Sequence, residues 1–350
     1  MNKFLSEILE QPEALRNTLK YYAEEEGCAR LEKIARLWQS QKFSQIVFAG
    51  MGSSFFASRA AAYYLCGAGI KTFAANAGEL LHYGSPVITD DTLLVCVSQS
   101  GESYEAVQIL ENLPENIFRL SISNAPQSSI IKKSHEHLLT KAGGEEMTST
   151  KTYVSTLLVM LIFSYSLSGR WNAKTKNALS LLISDIEIII NERDKWLSRG
   201  ADLLGAPSFV QVIGRGASYA SALQSSLMFA EGARTPASGS LGGEFRHGPL
   251  EMVKAGFKAV AFAPSGRTYA QSERLISDIV KFGGNVIKIT DSEEADINPE
   301  VLTIRIPCRG EDIFPIPAIV PAQLLVNELA ERSGIIPGSF AHGAKVTLFE

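Results

Sequence analysis

The apolar positions of this chain come in short, nearly continuous runs that end in glycine or serine, separated by longer stretches with helical periodicity. Gln45-Ile46-Val47-Phe48-Ala49 leads into Gly50-Met51-Gly52-Ser53-Ser54 and a small-residue helix over 56–65. Thr92-Leu93-Leu94-Val95-Cys96-Val97 leads into Ser98-Gln99-Ser100-Gly101-Glu102-Ser103 and a helical stretch over 104–112. Such runs predict strands covered on both faces, and their alternation with helices predicts a parallel α/β sheet. Residues 71–75, 118–123 and 138–140 supply further strands. Over 3–40, Leu31, Ile34, Ala35 and Leu37 recur at helical spacing, with charges such as Glu24 and Glu26 interspersed, which predicts a helical lead-in over 1–40. Two long helices, 153–167 and 174–197, are expected to bridge two domains.

From residue 208 the pattern begins again. Phe209-Val210-Gln211-Val212-Ile213 leads into Gly214-Arg215-Gly216-Ala217-Ser218, which matches the Gly50–Ser54 turn at an offset of 164. A strand over 259–263 ends at Pro264-Ser265-Gly266, whose Ser-Gly matches Ser100-Gly101 at an offset of 165, and 286–291 answers 118–123 at 168. Three landmarks in one order at nearly constant spacing predict a duplicated α/β domain. The expected organisation is a lead-in (1–40), a first domain (41–170), a helical linker (171–205), a second domain (206–335) and a tail (336–350).

The two copies differ most at the turn after their third strand. In the first copy, Ser98, Gln99, Ser100 and Ser103 crowd four hydroxyl or amide donors into six residues at a helix N-terminus. Free backbone N–H groups and the positive end of the helix dipole point the same way, so the stretch is a candidate phosphate site. Capping of that helix by Ser98 or Ser100 is the competing reading, and it accounts for one serine. In the second copy the same stretch reads Pro264-Ser265-Gly266-Arg267-Thr268, so the first copy is expected to hold the phosphate and the second to supply something else. The Gly50-Met51-Gly52 turn invites a dinucleotide reading. The third glycine of that fingerprint is absent, however, and the next strand ends at Asn76 rather than at an acid.

Composition narrows the picture further. With 45% hydrophobic and 20% charged residues and a net charge of -4, the chain has no basic stripe with interleaved aromatics, so no nucleic-acid partner is expected. Cys28, Cys66, Cys96 and Cys308 lie far apart without a C-x-x-C pair, and they read as reduced, mostly buried thiols. No metal and no cofactor are expected. The first residues lack the apolar core of a signal peptide and no apolar run is long enough for a bilayer span, which leads us to expect a cytoplasmic protein without a membrane partner.

Three residues stand out as candidate catalysts. His247 lies in Gly242-Gly243-Glu244-Phe245-Arg246-His247-Gly248-Pro249, where neither periodicity nor turn chemistry requires a histidine, and imidazole both takes and gives a proton near neutrality. A structural role is the alternative. Glu231 ends an otherwise uncharged helix, against the preference of a helix C-terminus, which marks it as a candidate base with a raised pKa unless it is exposed or paired with Arg234. Lys345 sits in an apolar tail, Ala344-Lys345-Val346, where a partly desolvated amine is able to form a Schiff base; a surface lysine on a docked tail is the alternative. Glu145 and Glu146 read equally as first-turn acids and as catalysts. His82, His135, His137 and His342 lack comparable context.

Taken together, Glu7-Ile8-Leu9-Glu10-Gln11-Pro12, Gly52-Ser53-Ser54, the serine stretch, Ser149-Thr150-Lys151, Gly214-Arg215-Gly216, Glu231, Glu244–Pro249, Pro321-Ala322-Gln323-Leu324-Leu325 and Lys345 resemble the sugar isomerase (SIS) family. Within that family the likeness is to the isomerase portion of the glucosamine-6-phosphate synthases and to stand-alone deaminases and fructosamine-6-phosphate deglycases. It covers nearly the whole chain. The resemblance implies two tandem flavodoxin-like SIS domains and a hexose-phosphate substrate. It also implies a phosphate held by Ser54, Ser98, Gln99, Ser100 and Ser103, with a sugar hydroxyl held by Ser149. Ring opening would fall to His247, C1/C2 proton transfer to Glu231, and the open-chain carbonyl to Lys345. A homodimer with shared active sites is implied as well. No cysteine precedes Cys28 to serve as a glutaminase nucleophile, so the expected reaction releases an amine from an amino-sugar phosphate. A deglycase would need room beside Met228 and Ala230, where the synthases carry lysines. A regulatory module that binds a phosphosugar without turning it over is the reading from another class.

Overall fold

The computed structural model describes residues 1–24, 26–294, 298 and 300–346. Among these residues the chain forms two compact units, each built on a sheet of five parallel strands. Of the described residues, the amino-terminal sheet unit comprises those within 13–145, 151–180 and 342–346; the other comprises those within 1–12, 146–150 and 181–341. The lead-in is therefore divided, its first helix, Lys3–Leu9, belonging with the second sheet.

The amino-terminal sheet contains β1 (Gln45–Gly50), β2 (Thr72–Asn76), β3 (Thr92–Val97), β4 (Arg119–Ser123) and β5 (Glu136–Leu139), in the order β2-β1-β3-β4-β5. β1 and β3 are buried at every position, as continuous apolar runs require once helices cover both faces. The second sheet contains β6 (Val210–Gly214), β7 (Ala237–Leu241), β8 (Lys258–Phe262), β9 (Asn285–Thr290) and β10 (Val301–Arg305), in the order β10-β9-β8-β6-β7. Read from the other edge this is the same flavodoxin-like order, as the duplication predicts.

Three elements depart from expectation. The helix Lys151–Leu167 is a core element of the amino-terminal unit rather than a bridge: all of its residues but Ser166 are buried, and it packs on the helices Gly52–Gly67 and Glu26–Gln39. A helix without a polar stripe must be covered all round, which its sequence announces. The second expected bridge breaks into Ala173–Asn191 and Leu197–Leu204. β7 escapes a periodicity argument altogether. Its Gly239 lies so close to the Ser218–Gly232 helix that an added Cβ would meet the Ala222 carbonyl oxygen at 2.9 Å, so small residues, not apolar ones, make the strand possible. Of the cysteines, only Cys96 is buried; Cys66 is exposed near the end of its helix, and Cys28 and Cys308 lie between. No helix among the described residues is long and apolar enough to cross a membrane.

Candidate active site

The amino-terminal sheet reverses its winding between β1 and β3, and at such a point the crevice beyond the strand ends is open to a ligand. Gly50 and Val97 are register partners there, so the turns that follow them leave the sheet side by side. Each opens a helix that no side chain caps. Met51 stands before Gly52–Gly67 and Ser103 before Tyr104–Asn112, neither making a side-chain capping bond. The capping alternative is thus not realised, and two helix N-termini without a side-chain cap start beyond the carboxyl ends of neighbouring strands.

The serines around those termini divide into braces and exposed donors. Ser98 is buried; its hydroxyl accepts from the Gly101 N–H at 3.1 Å and shares a 3.0 Å hydrogen bond with Ser103. Gly101 has φ +69°, and a Cβ there would lie 2.1 Å from the Ser128 hydroxyl, so only glycine allows this closure. Gln99, Ser100, Ser103 and Ser54 remain half-buried, with Ser100 accepting from the Glu102 N–H at 3.2 Å. An acid in such a loop would repel an anion. Glu102 is instead turned onto the short helix Ser129–Lys132, where its carboxylate accepts from the Ser129 hydroxyl at 2.6 Å and the Ser129 N–H at 2.9 Å. Those bonds hold its pKa below the ordinary carboxylate value.

The equivalent turn of the second sheet is already satisfied by carboxylates of its own chain. Asp291 accepts from the Ser265 N–H at 2.6 Å and Glu311 from the Arg267 N–H at 3.3 Å. Glu311 presses so closely that a Cβ on Gly266 would meet it at 2.5 Å. One cradle is open and its counterpart is filled from within.

Glu231 lies half-buried on the last turn of Ser218–Gly232 and turns to Thr148 rather than to Arg234, accepting a hydrogen bond from the Thr148 hydroxyl. Thr148 belongs to the same unit, as does Ser149, whose carbonyl accepts from Gln224 at 3.2 Å. Ser149 is half-buried between the buried Thr148 and Thr150. His247 ends the five-residue helix Gly242–Arg246 with its imidazole exposed, and no bond joins it to Glu231 among the described residues. Lys345 belongs to the amino-terminal sheet unit. Its ammonium pairs with Glu145 at 2.7 Å, and its side chain is only 18% exposed, against the surface-lysine alternative. Glu145 itself accepts from the Thr152 N–H at 3.1 Å and from the Thr152 hydroxyl at 2.5 Å. It therefore caps the Lys151–Leu167 helix from outside the first turn while facing the lysine.

Two features escaped the sequence reading. Glu79-Leu80-Leu81-His82 repeats Glu244-Phe245-Arg246-His247 at an offset of 165, and each follows the edge strand beside the first strand of its sheet, so His82 does have a context in the duplication. Glu7 is buried and binds the turn before Thr148, a contact that spans 139 positions and leaves no local signal. His135 stacks on Phe118 with ring centroids 5.1 Å apart and accepts from the Arg119 N–H, a structural role. Among the described residues no group of three or more His, Cys, Asp or Glu side chains is arranged to hold a metal ion.

Comparison with known proteins gives this geometry its relatives. Glutamine–fructose-6-phosphate aminotransferase (isomerizing) from Pyrococcus horikoshii is 29% identical over 339 residues, which are 95% of this chain and 55% of that protein. The enzyme of the same name from Methanothermobacter thermautotrophicus is 29% identical over 99% of this chain and 57% of its own. The chain thus spans about half the length of the curated relatives it matches. Among solved structures, the C-terminal domain of glucosamine-fructose-6-phosphate aminotransferase from Francisella tularensis aligns with a TM-score of 0.83 at 24% identity, covering 95% of this chain and 96% of that one. Glucosamine-6-phosphate deaminase from Thermotoga maritima aligns at 0.76 and 21%, covering 99% of both. Those two likenesses speak for the fold. The SIS domain profile matches residues 40–164 and 207–330, the greater part of the chain and one match on each sheet, and the protein therefore belongs to the SIS domain family.

Proposed function

We propose that this protein is a phosphosugar isomerase/deaminase that converts an amino-sugar 6-phosphate, of the glucosamine 6-phosphate type, to fructose 6-phosphate and ammonia. The observation that carries the reading is the cradle of donors after β1 and β3, set against the turn after β8, which carboxylates of the chain already fill. An anion of one charge class is wanted at one place. Kinship with glutamine–fructose-6-phosphate aminotransferases supports a hexose phosphate as its bearer.

In this reading Ser54, Gln99, Ser100, Ser103 and the helix N–H groups hold the phosphate, with Ser98 bracing the loop, and Ser149 takes a sugar hydroxyl. His247 removes the proton from the C1 hydroxyl and protonates the ring oxygen as the C1–O5 bond breaks. Glu231 takes the proton from C2, which leaves a 1,2-enolamine, and returns it to C1, giving the C2 imine. Water then adds at C2 and ammonia leaves. One carboxylate serves both carbons because they are adjacent. Lys345 meets the open-chain carbonyl as an ammonium; in the covalent version the amine, its proton given to Glu145, displaces ammonia from the C2 imine, and water then hydrolyses the resulting C2 Schiff base to the ketone and free lysine.

A deglycase needs space for an amino-acid moiety beside Met228 and Ala230; Met228 is fully buried, while Ala230 is exposed. The test is incubation with a panel of hexosamine and fructosamine 6-phosphates while following ammonia, free amino acid and ketose. Ammonia with fructose 6-phosphate is expected. Release of an amino acid would make the protein a deglycase, and binding without turnover a regulatory module.

The cradle has its own test. Each lost hydrogen bond to a charged oxygen costs about 1.5–3 kcal/mol. Ser100→Ala with Ser103→Ala is therefore expected to raise KM roughly tenfold or more per hydroxyl while kcat falls less. An unchanged KM would remove the phosphate from this loop.

A further inference from the structure

We infer that Glu7 and Thr148 are positioning residues for Glu231: buried Glu7 fixes the turn over 146–150, and that turn's Thr148 hydroxyl fixes the Glu231 carboxylate. The inference rests on the reading of Glu231 as the C1/C2 base.

A glutamate on the last turn of a helix is poorly placed to hold one orientation. The carbonyl-rich helix end offers it no donor, and its side chain turns about three bonds. Transfer between adjacent carbons nevertheless demands a carboxylate held to a fraction of an ångström. The Thr148 hydroxyl supplies the donor. It binds Oε2 of Glu231 from a residue that is 2% exposed, so water does not compete freely for the bond, and it leaves Oε1 to carry the proton.

Thr148 and its turn are themselves held by two segments far apart in sequence. Glu7 is fully buried, and its carboxylate accepts from the Glu146 N–H at 2.6 Å and the Met147 N–H at 3.2 Å, one with each oxygen. Only a carboxylate offers two acceptor oxygens in this geometry; the amide of glutamine offers one. The Thr148 N–H donates to the Gly338 carbonyl at 3.0 Å, and the Gly338 N–H donates to the carbonyl of Gly232, the residue after Glu231, at 3.3 Å. Gly338 has φ +71°, and a Cβ there would meet the Phe4 ring at 2.5 Å, so the first helix and this segment are in close contact. The first helix is itself tied to Pro315–Arg332 by Asn2 donating to Asn327 at 2.9 Å, and Gln11 just beyond it donates to Gln323 at 2.7 Å. Residues 7, 148, 231 and 338 thus form one connected support whose exposed end is Glu231.

The test is steady-state kinetics with glucosamine 6-phosphate or fructosamine 6-phosphate, whichever the wild type turns over, together with solvent exchange of the transferred hydrogen. Thr148→Val keeps the shape and removes the hydroxyl; kcat and exchange are expected to fall roughly ten- to a hundredfold, the worth of a hydrogen bond to a charged group, with KM and the unfolding midpoint little changed. Thr148→Ser should restore most of the rate. Glu7→Gln should lower kcat in the same sense, and the double variant should fall no further than the worse single, because both act through one contact. Wild-type kcat in Thr148→Val, beside an inactive Glu231→Gln, would overturn the inference and leave the base in place. A loss that Thr148→Ser fails to restore, or one that tracks the unfolding midpoint, would reduce Thr148 to packing and overturn it too. Wild-type exchange in Glu231→Gln would overturn the base and the inference together.

Discussion

Glu231→Gln is expected to bind a phosphosugar as the wild type does and to exchange the transferred hydrogen with solvent at least about a hundredfold more slowly, the lower bound for losing a general base. The substitution is nearly isosteric, and its amide oxygen still accepts from the Thr148 hydroxyl, so the side chain keeps its place. What disappears is an oxygen basic enough to take a proton from C2. Binding should survive because the cradle of Gln99, Ser100 and Ser103 belongs to another part of the chain with its own braces. Incubation in deuterium oxide followed by proton NMR reads the result directly, with deuterium absent from C1 and C2 of recovered sugar and an unchanged dissociation constant by calorimetry. Wild-type incorporation of deuterium would sink the assignment of Glu231. Loss of both binding and exchange would mean that the residue shapes the fold instead.

What the sequence made legible follows from how local each feature is. The serine stretch was readable because a buried strand, a run of donors and a helix start are neighbours in the chain, and the order β2-β1-β3 then sets the Gly50 turn beside it. The duplication was readable for the same reason, since each copy repeats short landmarks. Other features depend on contacts that leave no nearby trace. β7 is a strand because Gly239 fits against a helix backbone. The helix Pro315–Arg332 forms despite Pro317 and Pro321 because Pro315 and Pro317 fall in the first turn, where the N–H is unused. Burial along most of its length offsets the one bond lost at Pro321. Glu7, Thr148 and Glu145 make their contacts with partners up to 200 positions away, and Glu145 both caps the Lys151–Leu167 helix and pairs with Lys345. The filled cradle of the second copy was visible only as a changed motif. The carboxylates that fill it, Asp291 and Glu311, lie 26 and 44 positions from the residues they bind.

The second large effect expected is recovery of activity from two dead proteins. His247 is exposed, ends a five-residue helix, is followed by Gly248 at φ +134°, and makes no bond with Glu231 among the described residues. An imidazole so presented is suited to reach a substrate held by a second copy of the chain, and a two-fold dimer would then carry two equivalent composite sites. Glu231→Gln and His247→Ala are each expected to be inactive alone. Mixed in equal amounts under conditions that exchange subunits, half of the dimers become heterodimers. In each of these one site joins an intact Glu231 to an intact His247, while the other joins the two damaged residues. Activity should therefore recover to about a quarter of the wild-type value, by the symmetry of the assembly. Exchange is verified independently by native mass spectrometry on differently labelled subunits. Demonstrated heterodimers without activity would assign Glu231 and His247 of one subunit to the same site, and a protein that sediments as a monomer at assay concentration would remove the shared arrangement altogether.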